Sequence, residues 1–227
     1  MPSHRLAVRV LVAAALGGSS TILVASPTTA ADTWTTTVVA LPSRTTIDFG
    51  ETIDIDTDVD VVGGESGSAP AEGTTTLLAR RSTSTKWRAV ATSSSPSADF
   101  PDVKPRMNTS YKVVYGGYEA DSSQDDSYEP SESGVFTVEV ARTITYPSGG
   151  FDVAGRVRPR YGNKVIVIRV SRTQESGYVR YTTIRTDDRG RYSITLPRRK
   201  GTWFWSFRVK GDARYLPTRF EWKTWVS

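Results

Sequence analysis

The residues best placed for chemistry in this chain are four aspartates at every second position, Asp54, Asp56, Asp58 and Asp60, within the stretch ETIDIDTDVDVV. Carboxylates are hard oxygen ligands, and calcium takes roughly six to eight oxygens at about 2.3–2.6 Å. On a strand, residues two apart are spaced by about 6.6 Å along one face. Adjacent pairs can share an ion with help from a loop, but four in a row cannot close one cage. Two other readings stand beside calcium: a docking face for a basic partner, and a solvated strand face whose charge discourages strand-to-strand association. A second acidic group, Glu119, Asp121, Asp125, Asp126 and Glu129, lies in a loop and matches no defined metal-loop spacing.

Absences bound the remaining chemistry. The chain has no cysteine, and its one histidine, His4, lies at the extreme N-terminus. Beyond that terminus a Ser-His-Asp triad, a Cys-His pair and the usual zinc sites are excluded. Paired carboxylates, a Ser-Lys dyad or an oxygen-lined cation site remain compatible with the composition. No acid sits in a distinctive pocket motif, so the expectation is a protein without catalysis and without an obligatory cofactor, calcium being the one ion in question.

The cations offer a second candidate. Arg156 and Arg158 alternate with Val157, and Arg198, Arg199 and Lys200 form a turn tip of three adjacent positive charges. Such groups suit an anionic wall polymer, an acidic glycan or lipid head groups. Export of the chain, argued below, disfavours nucleic acid. Trp34, Phe204, Trp222 and Trp225 are candidate stacking platforms for sugars. Trp222 and Trp225 differ by three positions, so on one strand they point to opposite faces.

The elements that must position these groups are strands. TIDIDTDVDVV alternates with Ile53, Ile55, Val59 and Val61 on one face. TSYKVVY sets Tyr111, Val113 and Tyr115 together, RYSITLP sets Tyr192, Ile194 and Leu196 together, and WFWSFRV sets Trp203, Trp205, Phe207 and Val209 together. KVIVIRV is almost continuously apolar, the pattern of a strand buried on both sides. Gly, Pro, Asn, Asp and Ser clusters separate these runs, as turns do. Within DDRG, Gly190 supplies a positive φ. Density of this kind predicts about seven strands on either side of Arg142, in sandwiches or barrels.

The N-terminus reads as an export signal. Arg5 and Arg9 precede an apolar run from Val10 to Ala25, and small residues up to Ala31 resemble a cleavage site. No other stretch is long and apolar enough to span a membrane as a helix, so a secreted or surface location is expected. Residues 32–142 carry 18 acidic and 9 basic side chains, whereas residues 143–227 carry 6 and 18. This asymmetry predicts a signal at 1–31, an acidic domain at 32–141 and a basic domain at 142–227. Opposite charges of this size also raise the hypothesis that the two halves dock on each other.

The halves echo one another. Arg80 answers to Arg169, Trp87 to Tyr178, and the pair Tyr128/Pro130 to Tyr215/Pro217, at offsets of 87 to 91 residues. TDDRGRYSITLP followed by GTWFWSFRVKGDARYLPT resembles the bacterial immunoglobulin-like repeats of secreted actinobacterial proteins, and the first half carries a worn version without the Gly-centred turn. The resemblance implies two tandem immunoglobulin-like antiparallel β-sandwich domains, an all-β chain following a cleaved signal peptide, in an extracellular setting. It implies adhesion or scaffolding with varied partners and no shared active site.

Overall fold

The computed structural model describes residues 31–63, 68–122 and 125–227. The expected signal, apart from Ala31, lies outside them. Among the described residues every regular element is a strand. The first half contains β1 (Thr33–Trp34), β2 (Thr36–Pro42), β3 (Thr46–Asp48), β4 (Ile53–Val61), β5 (Thr75–Arg81), β6 (Arg88–Ser93), β7 (Phe100–Val103), β8 (Thr109–Tyr115), β9 (Ser127–Tyr128), β10 (Ser131–Glu132) and β11 (Phe136–Ala141). The second contains β12 (Thr143–Thr145), β13 (Asp152–Arg158), β14 (Val165–Ser171), β15 (Val179–Arg185), β16 (Arg191–Thr195), β17 (Gly201–Val209) and β18 (Thr218–Val226).

Both halves use one plan. In the first, β2-β4-β7 form one sheet and β3-β11-β8-β5-β6 the other. In the second, β12-β13-β16 face β15-β14-β17-β18. Strands that follow one another in sequence thus switch between sheets in the same order twice, which is the Greek-key arrangement of an immunoglobulin-like sandwich. The pairing is antiparallel except for β1 with β9 and β3 with β11. The latter arises because the chain leaves the first sheet at Pro42, which lacks a ladder donor, and crosses to the edge of the opposite sheet as β3.

Alternation places the core. Ile53, Ile55 and Val59 of β4 are at most 2% exposed, while Asp54, Asp56 and Asp58 between them face solvent. Tyr111, Val113 and Tyr115 join them from β8, and Val138 and Val140 from β11. The second core gathers Ile166, Ile168, Trp205, Phe207, Phe220 and Trp222. Burying each such side chain contributes roughly 1.5–3 kcal/mol, so each half has a core able to hold it without disulfides. The strand β14 departs from its sequence pattern. Ile166, Ile168 and Val170 are buried, but Val165 and Val167 look outward. No strand among the described residues packs over that side, so β14 is apolar on both faces and fully buried on one.

The turn at Asp187–Gly190 forms as its residues demand. The Asp187 carboxylate accepts hydrogen bonds from the Arg189 and Arg191 amides, and the Gly190 amide donates to the Asp187 carbonyl. Gly190 has φ of 78°, and a Cβ there would come within 2.6 Å of the Val157 carbonyl oxygen.

Only Arg142 separates β11 from β12, and it is buried to 1% exposure. Its guanidinium donates to the carbonyls of Pro159 and Lys210 and to the Asp212 carboxylate, the last at 2.6 Å. Its charge lies over the rings of Tyr215 and Tyr161, at 4.4 and 5.1 Å from their centroids. Tyr215 reaches the other way. It packs into the core of the first half, edge-on to Phe49, and its hydroxyl donates to the Arg106 carbonyl at 3.0 Å. Backbone bonds from Asn108 to Arg214 and from Leu216 to Val140 complete the latch. The halves are therefore joined by Tyr215 and two backbone bonds, with the linking residue Arg142 pinned by its guanidinium to the second half, rather than by the aspartate ladder.

Candidate binding face

The outer face of the four-stranded sheet in the second half collects cations from every strand. Alternation turns Arg169 of β14, Arg180 and Arg185 of β15, Arg208 of β17, and Arg219 and Lys223 of β18 away from the core. Arg169 stands directly opposite Arg180, and Arg208 opposite Arg219. Like charges directly opposed on neighbouring strands are destabilising, so the fold holds them together at a cost. Glu221, opposite Ser206, is the one carboxylate on the strands of this face.

At the end nearest the joint the face dips into an open groove of about 630 Å³, lined by Lys164, Val167, Arg180, Arg185, Lys210 and Asp212 among others. Asp212 is already engaged by Arg142 and, at 3.3 Å, by Lys164. Partial burial pushes its carboxyl up, but hydrogen bonds from Arg142, the Arg214 amide and Lys164 outweigh that and hold it at about 2. The Arg185 guanidinium donates to the Asn163 carbonyl, which fixes it at the groove's rim. Lys164, Arg180, Arg185 and Lys210 thus line the groove beside Val165 and Val167, with Asp212 as the one carboxylate among its lining residues.

A second hollow, of about 340 Å³, lies mid-face between Glu175, Tyr178, Arg208, Arg219 and Glu221. Burial raises the Tyr178 phenol above its ordinary pKa, and Glu221 adds to this while Arg219 and Arg208 oppose it. Its hydroxyl is buried with no hydrogen-bond partner among the described residues. Toward the far end the face becomes aromatic. Phe204 lies under the Lys223 ammonium at 6.0 Å, and Trp225, opposite Thr202, is 64% exposed.

The five cations singled out from sequence fall in different places. Arg156 and Arg158 stand on the outer side of the three-stranded sheet, where Arg156 faces Arg191 across the ladder and donates to the Arg189 carbonyl. Arg198, Arg199 and Lys200 join β16 to β17 at the opposite end, beyond the Asp152–Thr195 pair. Two of them cap aromatic rings: Arg198 lies 4.9 Å from Phe151, and Arg199 lies 4.7 Å from Trp203 and 5.3 Å from Tyr181. The structure does not bring the five into one site. Arg169, Arg180, Arg208 and Arg219 form the denser surface, and only their strand parity hinted at it.

Asp54, Asp56, Asp58 and Asp60 run along the outside of the β2-β4-β7 sheet, beside the exposed Leu41 and Val39. Asp54 accepts the Asp102 amide at 3.0 Å. Among the described residues no group of three or more potential ligands gathers as a metal site would require. Among the sugar-stacking candidates, Trp222 is buried and Trp225 exposed, as their spacing requires, and Trp34 is half-buried in β1.

No family model and no curated relative matches the chain. Among solved structures it is similar to a two fibronectin type-III domain segment from chicken tenascin, at 11% identity over 82% of this chain and 97% of that one, with a TM-score of 0.42. It is also similar to the FN1–FN3 domains of chicken CNTN1, at 12% identity, 85% and 66% coverage and a TM-score of 0.30. Three N-terminal domains of the bacteriophage RB49 outer capsid protein Hoc match at 14% identity, 83% and 58% coverage and a TM-score of 0.32. The immunoglobulin-like assignment rests on the strand order, not on these scores.

Proposed function

We propose that this chain is a non-catalytic, exported binding module that holds an anionic surface polymer, such as a wall polymer or acidic glycan, on its second sandwich, with the first as a firmly attached spacer. The carrying observation is the outer face of the β15-β14-β17-β18 sheet, where six cations meet a single strand carboxylate. Arg198, Arg199 and Lys200 flank its far end. Arg156 and Arg158 lie on the opposite sheet and belong to a different surface. The basic charge of residues 143–227 supports this reading, as does the resemblance to secreted repeats. No helix among the described residues is long and apolar enough to cross a membrane.

The test is binding to cell-wall material across a salt series. Affinity is expected to fall steeply with salt, because neutralising a polyanion releases its counterions. Replacing Arg208 and Arg219 together with Gln should weaken binding about tenfold or more and flatten the salt slope. Replacing Arg156 and Arg158 should change it far less. Salt-insensitive binding, or equal losses from the two pairs, would remove the proposal.

A further inference from the structure

The cationic face is not uniform, and its gradient says more about its partner than its charge does. Along β17 and β18 the outward residues run from Thr202 and Trp225, through Phe204 and Lys223, then Ser206 and Glu221, to Arg208 and Arg219. The groove with Lys164, Arg185 and Lys210 continues from there. From Thr202 to Arg208 the face extends about 20 Å. An aromatic platform flanked by Arg198, Arg199 and Lys200, a middle with Ser206, Tyr178 and the carboxylates of Glu221 and Glu175, and an end with Arg208 and Arg219 thus lie in line on one surface.

Each part selects. Trp225 offers a flat apolar face in water, where the ring of a sugar can stack. Glu221 and Ser206 accept hydrogen bonds from hydroxyl groups, which a sugar supplies and a bare chain of phosphates does not. The arginines and the groove then take acidic groups beyond them. Single-stranded nucleic acid is held by several aromatics in succession along a continuous basic track. Here one tryptophan is freely exposed, Phe204 is capped by Lys223, and a carboxylate interrupts the track.

We propose that the ligand of this face is an acidic polysaccharide lying along β17 and β18, with a sugar ring stacked on Trp225 and its acidic groups on Arg208, Arg219 and the groove. This rests on the polyanion reading above and narrows it to one class.

The experiment is calorimetric titration of the whole chain, at one fixed moderate salt concentration, with alginate oligosaccharide, inorganic polyphosphate and oligo-dT. Trp225→Ala should weaken alginate binding about tenfold, a loss of about 1.4 kcal/mol, and leave polyphosphate binding unchanged. Trp225→Phe should recover much of the loss. The Arg208→Gln, Arg219→Gln double variant should weaken alginate and polyphosphate alike. An unchanged alginate affinity in Trp225→Ala overturns the inference while leaving the polyanion reading in place. Oligo-dT binding tighter than alginate, with the larger Trp225 dependence, overturns it in favour of nucleic acid. If the unaltered chain binds none of the three, the polyanion reading fails and takes this inference with it.

Discussion

Among the described residues, two side chains bury a hydroxyl without a hydrogen-bond partner. Thr57 Oγ1 faces inward from β4, and the Tyr178 hydroxyl is buried beside the mid-face hollow; neither has a partner among the described residues. A buried polar atom left unpaired costs about 1–3 kcal/mol. Thr57→Val and Tyr178→Phe are therefore each expected to raise stability, by about 1 kcal/mol, seen as a higher urea midpoint at unchanged slope. A drop in midpoint for both would show that water or a rearranged partner satisfies them. Trp205, by contrast, donates its indole N–H to Thr224 Oγ1 at 2.9 Å inside the second core. Thr224→Val should destabilise by about 1–3 kcal/mol, since it strands that donor.

At the scale of elements, β4 shows how a strand with four carboxylates comes to be a wall rather than a site. Its inward residues are fixed by the core, so its aspartates stand in a row about 6.6 Å apart with solvent before them. Calcium or a chelator is accordingly expected to leave the melting midpoint unchanged, because a ligand that binds only the native state must raise it. The two sandwiches also reuse one local device between their penultimate and last long strands. Tyr118 bridges Tyr128 in the first, and Asp212 bridges Tyr215 in the second. In each, a glycine, Gly117 or Gly211, lies where a Cβ would run into the proline and the tyrosine carbonyl. The device meets different surroundings: Tyr128 packs beside its own core, whereas Tyr215 enters the core of the preceding sandwich.

That difference governs the whole molecule. Tyr215→Ala empties part of a core and removes the latch, at a cost of roughly 3–5 kcal/mol for a buried ring. It should convert one unfolding transition into two and widen the small-angle scattering profile. Acid should loosen the same joint. The Asp212 pKa is lowered from 3.8 to about 2, so its contribution is fully present above about pH 4 and is lost as pH falls through about 2. Scattering across that window is expected to show the two sandwiches gaining freedom, and an Asp212→Asn variant should show it already at neutral pH. A charge-only attachment would instead loosen with salt, to which the buried Arg142 contacts should be indifferent.

The all-β class, the two sandwiches, the inward faces of β4, β8, β16 and β17, and the Gly190 turn were legible in the sequence. Each is set by period-two alternation or by one residue's backbone freedom, and both are local properties. The equivalence of Tyr128/Pro130 with Tyr215/Pro217 was legible too, as a repeated pattern. What the tertiary structure decided were relations between distant positions. Arg169, Arg180, Arg208 and Arg219 become one surface only when four strands pair in a particular register. The apolar outward side of β14 could not be told from a buried one, because alternation assigns residues to faces without saying what covers a face. Arg142 reads as an ordinary linker cation until the fold closes Tyr161, Tyr215 and Asp212 around it. Local pattern determined which side chains share a side; only long-range packing determined which of those sides meet protein and which are left to water and a partner.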